Sequence, residues 1–170
     1  AEELRSSIIK TLSYFAYCNY FVHFKSPFRG WGMKIVIING PNLNLLGTRE
    51  PEVYGKENFE SFFKGLQQKF AAVEFTYYQS NVEGELINHL QSVGFTADGI
   101  IFNPGGYTHT SIAIGDAIAA VTTPVIEVHI SNIFGREDFR KHSHVSAKAK
   151  GVISGLGLKG YELAIQYFIA

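Results

Sequence analysis

From residue 33 onward the sequence predicts one doubly wound α/β domain built on a five-stranded parallel sheet. Short apolar runs alternate with segments whose apolar residues recur at helical spacing, and glycine or proline punctuates the ends of the runs. A strand that reads as a continuous apolar run belongs to a sheet covered by helices on both faces.

The first run, Lys34 to Asn39, is closed by Gly40-Pro41. Asn58 is placed to cap a helix whose apolar positions are Phe59, Phe62, Phe63, Leu66 and Phe70. Val73 to Tyr78 reads as the second strand. Asn81 then caps a helix with Val82, Leu86, Ile87, Leu90 and Val93 on one face and acids in its first turn. Gly99 to Asn103 is the third strand, stopped by Pro104-Gly105-Gly106, and Thr108 or Thr110 starts the helix that runs through Val121. Pro124 introduces a fourth strand, Val125 to Val128. A short basic helix is expected near Arg136 to Arg140, a fifth strand around Gly151 to Ser154, and a closing helix from Gly157 to Ile169. Right-handed crossovers between such strands give a flavodoxin-like sheet.

A chain of 170 residues suits one domain with one site. Fifteen basic and fifteen acidic residues cancel, so no general field attracts nucleic acid or an anionic membrane, and any anion must be bound locally. Cys18 is the only cysteine, which excludes an intramolecular disulfide and fits a reducing, cytoplasmic setting. None of the six histidines forms an H-E-x-x-H pair, so no metal is expected. Residues 1–32 crowd aromatic side chains without a sustained period and read as an extension outside the fold; residues 33–170 carry the domain. Met33, the single methionine, stands where the strand pattern begins, and the uncharged run ending near Phe24 is too short to span a bilayer.

In open parallel sheets ligands bind beyond the carboxyl ends of the strands. After the first strand comes a long connection, 39–55, that carries Asn42, Arg49 and Tyr54 between glycines and has the length of a functional lid. After the third strand come Asn103, Gly105-Gly106 and His109, a glycine pair that admits close backbone approach flanked by two directed hydrogen-bonding side chains. The fourth strand ends in Glu127-Val128-His129-Ile130-Ser131. Period-2 geometry puts Glu127 and His129 on one side, so that a carboxylate can orient an imidazole working as acid or base. Arg136 and Arg140, four apart, are expected on one face of the short helix, aimed at the same region. Each of these residues has a plainer reading when taken alone: a packed histidine, a turn, a solvated helix face. Their convergence on one rim, after strands one, three and four, favours a site.

The blocks NGPNLNLLG, REPEVYG, NPGGYTHTSIAIGDA, EVHISNIFGREDFRKHS and GVISGLGLKGY, in this order and spacing across nearly all of residues 33 to 170, resemble the signature blocks of the type II 3-dehydroquinate dehydratases. Gly115 departs from the family's larger, often basic residue, and Gly135 from a common alanine.

The resemblance implies a cofactor-free hydro-lyase that converts 3-dehydroquinate to 3-dehydroshikimate by anti elimination through an enolate, in the shikimate pathway or in quinate breakdown. It assigns the base to Tyr54, helped by Arg49 because a free phenol near pKa 10 is a poor base at neutrality. Asn42 is then the stabiliser of the enolate oxygen and His129 the general acid oriented by Glu127. Asn103 with the amides of Ile130 and Ser131 would hold the substrate carboxylate, and His109 and Arg140 its ring hydroxyls. Asp116 would reach a neighbouring subunit's site in a homo-oligomer, a dodecamer built from trimers. Two rivals fare worse. A flavin- or phosphate-binding module needs a Ser/Thr/Gly-rich first loop, where this chain has Pro41, Leu43, Leu45 and Leu46. A serine hydrolase using Ser111 or Ser131 needs a G-x-S-x-G elbow, which the sequence lacks.

Overall fold

The computed structural model describes residues 32–47 and 58–170. In chain order it contains β1 (Met33–Asn39), α1 (Phe59–Lys69), β2 (Val73–Gln79), α2 (Glu83–Val93), β3 (Gly99–Asn103), α3 (Ile112–Ala120), β4 (Val125–His129), β5 (Gly151–Ser154) and α4 (Lys159–Ile169). All strands are parallel, in the order β2-β1-β3-β4-β5. This is the flavodoxin-like order, in which the chain reverses direction of winding between β1 and β3 and leaves a crevice at their carboxyl ends.

Both faces of the sheet are covered, so the inner strands β1, β3 and β4 are buried along nearly their whole length, whereas the edge strands β2 and β5 are only partly buried. Ile35 and Ile37 pack with Leu66 of α1 and with Tyr161 and Ile165 of α4. Val36 and Ile38, one step out of phase, pack with Leu86 and Leu90 of α2 and Ile114 of α3. At Gly160 a Cβ would stand 3.2 Å from Val128 Cγ1, so the missing side chain lets α4 lie close on β4 and β5 and sinks the next residue, Tyr161, to complete burial.

Asn58 caps α1, its Oδ1 accepting from Ser61 N at 2.8 Å. Elsewhere the caps differ from expectation. Ser80 Oγ, not Asn81, accepts from Val82 N at the start of α2, while Asn81 Oδ1 accepts from Asn42 N at 3.0 Å and so ties α2's entry to the loop after β1. Neither Thr108 nor Thr110 caps α3. The Pro104-Gly105-Gly106 stop coils into a 3₁₀ turn, Gly105–His109, and shifts the cap to Ser111, whose Oγ accepts from Ile114 N at 2.9 Å. We expect Ser111→Ala to destabilise the protein by about 1 kcal/mol and Thr110→Ala to leave it nearly unchanged, read from denaturant unfolding. The expected basic helix is instead two 3₁₀ turns, Ile133–Gly135 and Asp138–Lys141, with Arg136 extended between them. The closing helix begins at Lys159 because Gly157 is left-handed, at φ 60°. Among the described residues no helix is long and apolar enough to cross a membrane.

Candidate active site

The loops after β1 and β3 meet at Gly40, whose N–H donates to the Asn103 carbonyl at 2.7 Å. A Cβ on Gly40 would lie 2.6 Å from the Pro104 carbonyl oxygen, so only glycine permits this approach. Just beyond it opens a cavity of about 210 Å³ at the carboxyl ends of β1, β3 and β4. Asn42, Asn103, His109, His129, Ser131 and Arg140 line it, together with Ile130 and Arg136. Seven of the eleven residues expected at the site therefore share one cavity, and Glu127 stands directly behind it, hydrogen-bonded to His129. Asp116 does not line the cavity but sits exposed on α3. Tyr54 and Arg49 lie outside the described residues.

Asn42 is held at the rim by unusual backbone geometry. Its φ of 67° makes it the one non-glycine residue in the left-handed region among those described, a conformation that asparagine tolerates better than bulkier residues. The Asn81 side chain anchors this turn through Asn42 N.

Glu127 is fully buried at the centre of the site's chemistry. Its Oε1 accepts from His129 Nε2 at 2.7 Å and from Thr108 Oγ1, and its Oε2 accepts from Ser146 Oγ. Because an ionised carboxylate only accepts, the hydrogen of His129 is fixed on Nε2, leaving Nδ1 for exchange with a ligand. Burial alone would raise the Glu127 pKa; the bonds from His129, Ser146 and Thr108 outweigh it and hold the carboxyl below its ordinary value of 4.5. A carboxyl with a depressed folded pKa adds stability that is fully present above pH 4.5 and lost as pH falls through the folded value. Wild type should therefore lose unfolding free energy more steeply below that pH than Glu127→Gln does. Denaturant unfolding from about pH 6 to pH 3 measures this, and parallel profiles would refute an ionised Glu127.

His109 Nδ1 meets the His142 carbonyl at 2.7 Å, and its ring stacks 6.5 Å from that of His129. Burial pulls its pKa below 6.5. The His142 carbonyl opposes that pull, His129 and Arg140 reinforce it, and Glu127 opposes it more weakly. Arg136 and Arg140 are not on one helix face as the spacing suggested. Glu137 brings them together instead, accepting from Arg140 Nε at 2.7 Å and pairing with Arg136 Nε at 3.5 Å.

Sequence reasoning missed the hydroxyl clamp on Glu127. Thr108 was visible only as a helix start, and nothing in the residues around Ser146 points to β4. Ser143 Oγ bonds Thr108 Oγ1 at 2.8 Å and accepts from Ser146 N at 2.8 Å, which locks the clamp. Gly115 belongs to the same feature: a Cβ there would meet the His144 carbonyl at 2.5 Å, so a side chain at 115 would displace the segment that carries Ser143 and Ser146. Gly155 and Gly157, which superficially suggest a dinucleotide loop, take left-handed conformations and donate to the carbonyls of His129 and Ile130, fixing the segment after β4. Among the described residues no cluster of three potential metal ligands occurs.

A family model, Dehydroquinase class II, matches residues 33–169. A 3-dehydroquinate dehydratase of Polynucleobacter asymbioticus is 54% identical over 139 residues, covering 80% of this chain and 93% of the relative. A catabolic 3-dehydroquinase of Aspergillus oryzae is 47% identical over 138 residues, covering 80% of this chain and 90% of the relative. Among solved structures, the type II dehydroquinase of Butyrivibrio crossotus superposes with a TM-score of 0.78 at 48% identity, over 82% of this chain and 99% of that one.

Proposed function

The chain belongs to the class II dehydroquinase family, an enzyme family, and from that premise we propose that it converts 3-dehydroquinate to 3-dehydroshikimate and water by anti elimination through an enolate. Dehydration of 3-dehydroquinate is the activity its relatives carry in their names. The observation that carries the mechanistic reading is the buried Glu127–His129 pair, 2.7 Å apart, at the edge of a cavity whose polar lining consists of amide, imidazole, hydroxyl and guanidinium groups set among leucine and isoleucine side chains.

In the proposed sequence a base takes the proton from the carbon next to the ketone, and the electron pair moves onto the carbonyl oxygen as an enolate. Asn42 is the group proposed to stabilise that oxygen, directly or through a water, where charge exists mainly in the transition state and the intermediate. The enolate then collapses, the carbon–oxygen bond at the β-carbon breaks, and doubly protonated His129 gives its Nδ1 proton to the departing hydroxide, forming water. Glu127 keeps the ring fixed through Nε2 and supplies the balancing negative charge. The proton left on the base returns to solvent, and with it His129 is recharged. Asn103 and the amides of Ile130 and Ser131 would hold the substrate carboxylate, a local anion site of the kind a chain of zero net charge needs. His109 and Arg140 would bind ring hydroxyls. Tyr54 with Arg49 is the proposed base. The exposed position of Asp116 on α3 is compatible with a role at a neighbouring subunit's site in a trimer-based dodecamer, and sedimentation of the purified protein tests that assembly.

The test is direct. Addition of 3-dehydroquinate should raise ultraviolet absorbance as the conjugated enone forms, and borohydride treatment with substrate should leave activity intact because no lysine forms a Schiff base in this scheme. No absorbance change would overturn the reading, and inactivation by borohydride would overturn the enolate mechanism.

A further inference from the structure

Beneath the cavity, three buried side chains that do not all touch it form one hydrogen-bonded chain across β1, β3 and α4. Asn39 and Asn103 end β1 and β3 and are register partners in the sheet. Tyr161 on α4 reaches both: its hydroxyl accepts from Asn103 Nδ2 at 3.0 Å and donates to Asn39 Oδ1 at 2.8 Å. Asn39 and Tyr161 are completely buried, and Asn103 is 3% exposed and lines the cavity.

The polarity of this chain follows from one backbone group. Gly105 N is a donor that cannot become anything else, and it bonds Asn103 Oδ1 at 3.1 Å. The amide nitrogen of Asn103 therefore faces Tyr161, which must accept from it, and the single hydroxyl hydrogen of Tyr161 must pass on to an oxygen of Asn39. At the far end Asn39 lies beside the Tyr77 phenol, whose pKa burial raises and the weaker effect of the Asn39 side-chain hydrogen bond lowers. Burial pushes the Tyr161 phenol far above its ordinary pKa, so it stays a neutral hydroxyl and is no candidate for proton transfer. Phe59 and Phe62 pack edge-on against its ring, at 5.2 and 5.9 Å between centroids, and hold it in place.

We infer that Tyr161 is a positioning residue for carboxylate recognition: its hydroxyl fixes the amide of Asn103 so that an N–H, and not the carbonyl, remains available to an anion in the cavity. Asn103 Nδ2 has two hydrogens, of which Tyr161 takes one; its oxygen is occupied by Gly105 N. Without the tyrosine hydroxyl the amide keeps only its bond to Gly105 and is free to rock about it. This rests on the proposal that Asn103 grips the substrate carboxylate.

The experiment compares wild type, Tyr161→Phe and Asn103→Ala for KM and kcat on 3-dehydroquinate, for inhibition by its uncharged methyl ester, and for melting temperature. Tyr161→Phe keeps the ring and removes only the hydroxyl. It should raise KM about tenfold, leave kcat within about threefold, and leave the ester's inhibition constant within about twofold, because what is loosened is a hydrogen bond to a charged group. A lower melting temperature with unchanged KM would reduce Tyr161 to a structural tie and overturn the inference. So would an equal weakening of acid and ester. If Asn103→Ala raises KM while Tyr161→Phe does not, the carboxylate reading stands and the inference falls. If Asn103→Ala itself leaves KM unchanged, both fall. Should Tyr161→Phe not yield folded protein, Asn39→Leu tests the same link by removing the acceptor of the hydroxyl; KM should again rise for the acid alone, and an unchanged KM overturns the inference.

Discussion

His129→Ala is expected to lower kcat by about a hundred- to ten-thousand-fold, the range typical for loss of a positioned proton donor, with a much smaller change in KM. Glu127→Gln separates charge from geometry at the same site. Glu127 Oε1 serves two donors and Oε2 only the Ser146 hydroxyl, so a glutamine settles with its NH₂ toward Ser146. That serine can turn its lone pairs to the amide, whereas His129 and Thr108 keep an oxygen to bond. The imidazole therefore stays oriented while the balancing negative charge disappears, and kcat should fall with only modest change in melting temperature.

If the two groups act as one unit, the double variant should be far less impaired than the product of the single effects. Measuring turnover and melting temperature on the same four proteins decides it. A large loss of melting temperature with unchanged turnover per folded molecule would remove His129 from the chemistry and leave it a packing residue.

The fold was legible because burial on both faces forces the inner strands to be largely apolar and the turns between them to carry glycine and proline, a signal that survives in single residues such as Gly40 and Pro124. The Glu127–His129 pair was legible for an equally simple reason: residues two apart on a strand share a face, and the observed bond is 2.7 Å. What stayed hidden depends on contacts between distant segments. Ser146 reaches Glu127 across nineteen positions and Tyr161 reaches Asn39 across 122, and no local pattern encodes either. The cap of α3 was misplaced by one to three residues because several hydroxyl side chains sit together at its start, and the choice between them is made by the preceding turn, not by propensity; α2 starts from Val82 with no side-chain cap at all. Arg136 and Arg140 do converge on the cavity, but through Glu137 and two 3₁₀ turns, so the helical spacing led to the right place by the wrong geometry.

Tyr54→Phe is expected to reduce kcat by a hundredfold or more, on the order of the loss at His129, while KM stays within a few-fold, because the ring is kept and only the proton acceptor goes. The need for a group of this kind can be argued from the cavity itself. Among the described residues its wall contains no carboxylate and no tyrosine, so the first proton must be taken either by a residue outside them or by an imidazole. His129 is the proposed acid. His109 is the competitor: with its Nδ1 hydrogen spent on the His142 carbonyl, its Nε2 holds a lone pair, and burial favours the neutral form. The two assignments diverge in the variants. With Tyr54 as base, Tyr54→Phe loses turnover and His109→Ala mainly raises KM, and Arg49→Ala moves the acidic limb of the rate profile upward by removing the cation that favours phenolate. With His109 as base, His109→Ala abolishes turnover, Tyr54→Phe stays near wild type, and the acidic limb follows an imidazole whose pKa lies below 6.5. A Tyr54→Phe enzyme that turns over at the wild-type rate would transfer the role of base to His109.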